Sequence, residues 1–462
     1  MSATTEHPNY RGGFRPVSEE VTAFDLPVTG RVPAELNGRY LRNGPNPMSL
    51  DDPKLHLFMG EGMVHGVRLR DGRAEWYRNR WVRSARVAER LGESWPGGPV
   101  HANMDFSANT HVIGHAGRTL ALVEAGPRPY ELGYELDTIG PCDLGGTLPG
   151  GYVAHSKRDP RTGELHAIAY YWGWPHVQYV RIDKAGLVAR TVDIPVPDSP
   201  MVHDCALTER YVVVFDLPIT FDMNLAARGV GLPYSWNERH PARVGLLPRD
   251  GEAADVRWFD VDPCWVFHTL NAFDDGDDRV VVDVVVYPRM FDDGRLAGSL
   301  PTLDRWTIDV RSGKVTSVRL DDRPQEFPRA DERRLSLPYR YGYAVATRDL
   351  GELLADGRPE LTDLDDPAFG NAIIKHDLHT GAKQTRTLHR DAYVGEAVFV
   401  PAEGGTAEDD GYVLAFVNNP ARGAADLLIL SAQDFTGEPV ATVHLPARIP
   451  LGFHGNWVPD GF

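Results

Sequence analysis

The sequence predicts an all-β fold closed as a propeller, on three observations. Glycine (46) and proline (36) are abundant and scattered through the 462 residues, as many short strands joined by tight turns require. Runs of alternating apolar and polar residues recur with turn pairs between them, the period-two pattern of half-buried strands. Neither long helical periodicity nor a polar linker interrupts the stretch from Asn37 to Leu445. A propeller closes such a series with short, protected edges, whereas sandwiches would show as modules of about 100 residues. One domain over residues 1–462 is therefore expected.

The hairpins follow one another along the chain. GMVHGVRLRDGRAEWYRNRWV turns at Asp71-Gly72, a pair suited to a two-residue connection. THVIGHAGRTLALVEAG follows, and RDPRTGELHAIAYYW turns around Thr162-Gly163. ARVGLLPRDGEAADVRWFDV and RWTIDVRSGKVTSVRLD repeat the pattern, the second around Ser312-Gly313. RVVVDVVVYP is almost wholly β-branched and apolar, which marks an inner strand covered on both faces. PITFDMNLAARGVGLPYSWNERHPAR mixes apolar residues with Gly and Pro and reads either as a cap over one face or as a plain surface loop. No strict repeat such as a WD dipeptide is present, so the pattern does not give a blade number.

Composition narrows the function. Hydrophobic residues make 42% and charged residues 24% of the chain, ordinary for a soluble globular protein. With 48 Lys+Arg against 65 Asp+Glu the formal net charge is −17. Such a surface repels phosphate backbones and argues against nucleic acid as a partner. No apolar run is long enough to span a bilayer, and MSATTEHPNYRGGFRP does not resemble a signal peptide. Cys142, Cys205 and Cys264 show no paired spacing, so a reduced, cytoplasmic setting is expected.

Four of the 17 histidines share one context. His155 (GYVAHSKRDP), His203 (MVHDCAL), His268 (CWVFHTLNAF) and His454 (GFHGNW) each follow a short apolar stretch and precede a polar or small residue. That pattern places them after strands, at ends where a propeller's central channel opens. A lone histidine beside apolar residues is more often a satisfied core residue than a ligand. An all-imidazole set, however, suits a divalent transition metal such as iron, copper or zinc. Ligating imidazoles need acceptors for their second N–H, and Glu124, Glu326 and Glu396 sit in apolar surroundings that suit that task. His7, His101, His240 and His376 stand in polar or turn-like contexts and read as surface residues. Asp204, next to His203, reads as a structural hydrogen-bonding residue.

These segments resemble the carotenoid cleavage oxygenase family, non-haem iron enzymes on a seven-bladed propeller. The resemblance begins at LNGRYLRNGPNP (Leu36–Pro47), HLFMGEGMVHGVRLRDG and ANTHVIGHAGRTLALVEAG, and continues through AHSKRDPRTGELHA and MVHDCALTERYVVVFDLP. QEFPR, PYRYGY, GEAVFVP and FHGNW complete it in family order over nearly the whole chain. It implies seven blades, with a loop and short-helix cap over one face. It also implies Fe(II) held by His155, His203, His268 and His454, with Glu124 orienting His203, Glu326 orienting His268 and Glu396 orienting His454. His155 is left without a carboxylate. Thr110, in ANT, corresponds to the residue whose methyl group crowds one open metal position. One motif departs, since Glu61 in HLFMGEGMVH replaces the usual Asp; His56 and His65 beside it are read as packing residues, not ligands.

The implied reaction is addition of both atoms of O2 across one C=C bond, giving two carbonyl products. The substrate is a carotenoid or apocarotenoid, or in another branch a stilbenoid. Val123 stands before Glu124, where stilbenoid enzymes place a Lys, and this favours the apolar polyene. Phe58, Trp172, Trp174, Trp265, Phe267 and Phe273 are candidates for tunnel walls or for core packing. Peripheral membrane contact for substrate uptake is part of the resemblance, with Ile219–Trp236 as the docking segment. Two other readings remain: a propeller that binds without catalysis, and a zinc hydrolase, whose site would combine fewer histidines with a carboxylate or Cys.

Overall fold

Each hairpin in the sequence becomes a pair of neighbouring antiparallel strands. Asp71 and Gly72, at φ 48° and 77°, join Gly62–Arg70 to Arg73–Trp81, the double left-handed turn that matches strand twist. Ala116 and Gly117 do the same between His111–His115 and Arg118–Leu122. The computed structural model describes residues 7, 9–10, 12–291, 300–346, 371–389 and 392–462. In it, seven sheets form a seven-bladed propeller.

Blade 1 is built on Gly38–Pro45, Gly62–Arg70 and Arg73–Trp81. Blades 2 to 6 are four-stranded meanders whose innermost strands are His111–His115, Lys157–Arg158, Cys205–Leu207, Trp265–Asp275 and Gln325–Ala330. Blade 7 is built on Val398–Pro401, Gly411–Asn419, Ala424–Ser431 and Ala441–His444. Neighbouring innermost strands touch in turn around the axis, and Arg158 bonds the Gly114 carbonyl between blades 2 and 3. Arg279–Tyr287 lies second in blade 5 with Val280, Val282, Val284 and Val285 fully buried, as its unbroken apolar run requires.

The chain ends lock the ring. Gly455–Pro459 pairs with Gly38–Pro45 and becomes the innermost strand of blade 1. Val28–Gly30 pairs with Ala441–His444 at the rim of blade 7, and Thr22–Phe24 edges blade 1. The sequence reading stopped its hairpins at Asn37 and Leu445 and so missed these strands. Pieces of three to five residues carry too little alternation to register.

The insertion between the second and third strands of blade 4 is a cap. Ile219–Phe221 pairs with Tyr234–Trp236, and the helix Met223–Ala227 between them is capped by the Asp222 carboxylate. Phe221 stacks on Trp172 with centroids 5.0 Å apart, and the Trp236 amide donates to the Phe291 carbonyl at 3.0 Å. The segment therefore packs across blades 3 and 5. None of the described helices is long and apolar enough to cross a membrane.

Three histidines read as surface residues are buried. His7 Nε2 donates to the Asp52 carbonyl, His376 pairs with Gln325, and His240 lies between Asp198 and Asp216. Their partners lie more than 20 residues away, so local polarity was a poor guide to exposure.

Candidate metal centre

Three of the four histidines precede an innermost strand rather than follow one. His155 stands just ahead of Lys157–Arg158, His203 ahead of Cys205–Leu207 and His454 ahead of Gly455–Pro459. The apolar residues before them are irregular buried backbone, not strand, which corrects the sequence reading. His268 lies inside Trp265–Asp275, where the pairing slips between Val266 and Thr269. Such a bulge re-aims a side chain. Upstream of His155, Gly151 passes so close to Gly126 that a Cβ would lie 1.8 Å from the Gly126 carbonyl oxygen. That close passage, open only to glycine, brings the Ala154 amide to Glu124 Oε1 at 3.0 Å.

The four rings converge on the propeller axis, each offering one nitrogen, all within 4.8 Å of one another. His268 Nε2 lies 3.3 Å from His203 Nε2 and 3.2 Å from His454 Nε2. His155 Nε2 is buried without a hydrogen-bond partner. Burial, then the neighbouring imidazoles, push His155, His203 and His454 well below the ordinary histidine range. Burial also opposes protonation of His268, but the Glu326 carboxylate outweighs it and holds that pKa up. Imidazole lone pairs packed this closely are mutually repulsive without a cation between them. The cluster could hold a metal ion, and its donor set fits a divalent transition metal.

The glutamates differ in reach. His268 Nδ1 is 2.6 Å from Glu326 Oε2, and His454 Nδ1 is 3.0 Å from Glu396 Oε1. Glu124 lies between two rings, 3.7 Å from His203 Nδ1 and 4.0 Å from His155 Nε2. Burial, with the Asp204 charge adding to it, pushes the Glu124 carboxyl well above its usual range. Further groups hold the carboxylates. Glu326 accepts from the Tyr287 hydroxyl at 3.0 Å and the Phe327 amide at 2.6 Å. Glu396 accepts from the Gly455 amide at 2.8 Å and Arg329 at 3.0 Å. Tyr170 lies against Glu124.

Thr110 is buried beside the cluster; its carbonyl accepts from the His454 amide at 3.1 Å and its hydroxyl donates to Asn109 at 3.0 Å. Asp204 takes Lys157 Nζ and the Thr269 amide, both at 2.9 Å, a structural role. His65 bonds the Tyr77 hydroxyl at 3.0 Å and His56 caps a short 3-10 turn, so neither joins the cluster.

The sequence reading missed His111. It follows Thr110 on the innermost strand of blade 2, and its ring centroid lies 5.2 Å from that of His454. Its Nδ1 faces the Ala154 carbonyl at 3.0 Å, and its Nε2 is buried without a partner. Its place directly after Thr110 was the one available signal.

Two kinds of wall meet the cluster. A cavity of about 70 Å³ reaches His155, His268 and His454 past Lys157, Asp204, Arg329 and Glu332, which suits water-sized occupants. On another side stand aromatic rings. Phe267 lies 5.1 Å from His203, Phe327 5.3 Å from His454, and Phe58 contacts Phe267 and Phe453. Trp265 packs edge-on to Phe267, whereas Trp174 stacks with His176 and Phe273 contacts Tyr339, neither partner a member of the four-histidine cluster.

Comparison with known proteins gives this geometry a lineage. The family model described as retinal pigment epithelial membrane protein, RPE65, matches residues 14–459. A carotenoid cleavage oxygenase of Mycobacterium tuberculosis is 47% identical over 99% of both chains. The chain belongs to the carotenoid cleavage oxygenase family. By that membership it is an oxygenase. Among solved family structures, the Pseudomonas brassicacearum lignostilbene dioxygenase superposes with a TM-score of 0.86 at 31% identity, covering 98% of this chain and 99% of that one. A cobalt-substituted Synechocystis apocarotenoid oxygenase gives 0.83 at 28% identity, with the same coverage.

Proposed function

We propose that this oxygenase is a non-haem Fe(II) dioxygenase that cleaves one C=C bond of a carotenoid or apocarotenoid into two carbonyl products. His155, His203, His268 and His454 are the iron ligands in this reading. The observation that carries it is the convergence of four imidazole nitrogens within 4.8 Å, three of the rings buried and His203 half-buried. Iron is favoured over zinc because oxygenase chemistry needs a redox-active metal, and zinc has no redox chemistry. When bound, ferrous iron supplies the reactivity that joins dioxygen to an electron-rich alkene.

The protein's own part is binding and placement. Glu326 and Glu396 fix the tautomer and direction of His268 and His454, as carboxylate partners do for ligating imidazoles. Glu124 serves His203 and His155 more loosely. Thr110, against the His454 backbone, narrows one approach. The polyene enters along the Phe58, Phe267 and Phe327 side, because the cavity past Lys157 and Glu332 is too small and polar for it. Exposed Met223 and Trp172 near the cap support peripheral lipid contact during uptake by a cytoplasmic protein.

A hydroxystilbene substrate is the second reading, favoured by the likeness to the lignostilbene enzyme. Against it stands buried Val123, which gives a phenolate no cation. Iron-loaded protein given an apocarotenal or a hydroxystilbene under labelled dioxygen separates the two. Two labelled carbonyl fragments from the polyene are expected. Fragments from the stilbene alone would transfer the proposal to the second reading, and none from either would end both.

A further inference from the structure

Glu326 and Arg329 share the innermost strand of blade 6, Gln325–Ala330, yet serve opposite neighbours. Residues three apart on a regular strand face opposite sides of the sheet. Here the pairing slips between Glu326 and Arg329, Phe327 takes φ 52°, and Pro328 follows. Backbone of this kind, costly for a non-glycine residue, collects at functional sites. Glu326 reaches His268 in blade 5, and Arg329 reaches Glu396, beside blade 7, at 3.0 Å.

Arg329 makes three contacts. Nη1 donates to Glu396 Oε2 and to the Gly455 carbonyl, each at 3.0 Å, and Nη2 donates to Glu332 Oε1 at 2.7 Å. Gly455 follows His454 directly. One guanidinium therefore braces both the carboxylate that holds the His454 ring and the backbone that carries it. Among the described residues, Glu396 is the one of the three glutamates that pairs with a guanidinium. Glu326 relies on Tyr287 and an amide, and Glu124 on an amide with Tyr170 alongside. A carboxylate as buried as Glu396 is costly to keep charged without a cation.

We infer that Arg329 is a positioning residue of the metal centre, acting through Glu396 to aim His454. The inference rests on the metal-centre reading above, and its test separates the two. Co(II) is titrated into metal-free wild type, Arg329→Gln, Arg329→Lys, Glu396→Gln and the Arg329→Gln/Glu396→Gln double variant. Affinity is read by chelator competition, and the ligand field from the visible absorption bands.

Arg329→Gln should lower affinity by about 10–100-fold, the usual effect of removing a support behind a ligand, and shift the bands. Arg329→Lys, which keeps the charge, should retain most of the affinity. In the Glu396→Gln background, Arg329→Gln should add almost nothing, since both act on one path. Wild-type affinity and bands in Arg329→Gln, or multiplying losses in the double variant, would overturn the inference. Should Arg329→Gln not fold, Arg329→Lys decides: shifted bands with most of the affinity retained support the role, since the forked contacts change while a cation stays beside Glu396, and bands identical to wild type overturn it. A wild type that binds no Co(II) would instead refute the metal centre itself.

Discussion

His268 Nε2 and His454 Nε2 face each other 3.2 Å apart across the propeller axis, and each ring's Nδ1 rests on its own buried glutamate. The two imidazoles come from blade 5 and from the last strand of the chain, so the whole ring must close before they meet. A hydrogen bond from Nδ1 to carboxylate leaves each Nε2 lone pair directed inward.

Ligand and support should therefore be separable by mutation. His268→Ala should abolish metal retention and turnover. Glu326→Gln keeps a hydrogen-bonding partner and should cost about 10–100-fold. Metal content and steady-state rates of the two variants check this order; equal losses would deny Glu326 an orienting role.

Metal should stabilise the fold. Lone pairs crowded in a buried site favour a bound cation, and any ligand of the native state alone raises stability by mass action. Free metal at 100 times its Kd should add about 2.7 kcal/mol, seen as a higher Tm. In His203→Ala that rise should shrink or vanish. An undiminished rise there would place the ion elsewhere.

A pH dependence follows from His240, at the base of the cap. Burial opposes its charge, but Asp216 at 2.7 Å and Asp198 at 3.1 Å outweigh that and raise its pKa. The unfolded side chain titrates near about 6.5. Its contribution is then fully present below that pH and is lost as pH rises through the higher folded value. Wild type should lose more stability than His240→Gln on alkalinisation through this window. Parallel Tm–pH curves for the two proteins would rule the clamp out.

Truncation tests the closure. Removing residues 455–462 deletes the innermost strand of blade 1 and exposes buried Tyr40 and Leu41 beside it. The shortened chain should lack a cooperative thermal transition, since an interlocked core strand carries ring closure as well as its own pairing. A sharp, near-native transition would show that the ring holds without it.

Hairpins were legible because alternation around Asp71-Gly72, Thr162-Gly163 and Ser312-Gly313 is a local signal. Blade number was not, because the blades share no repeated residue pattern, and it came from resemblance. The four histidines were found by their motifs, while their backbone was misread, since buried irregular segments and bulges resemble strands in composition. Arg329 and His111 escaped notice for a different reason. Their roles depend on partners in other blades, Glu396 and Ala154, and nothing next to them in sequence announces those partners. His240 shows the same limit: Arg239 and Pro241 suggest a surface, and Asp198, brought in from 42 residues away, makes it a buried clamp.

The most direct test is X-ray absorption on protein loaded anaerobically with one equivalent of Fe(II). Four imidazole nitrogens at about 2.1 Å, the usual metal–histidine distance, are expected, with one iron per chain. A shell containing sulfur, fewer than four imidazoles, or no stoichiometric uptake of iron would contradict the account.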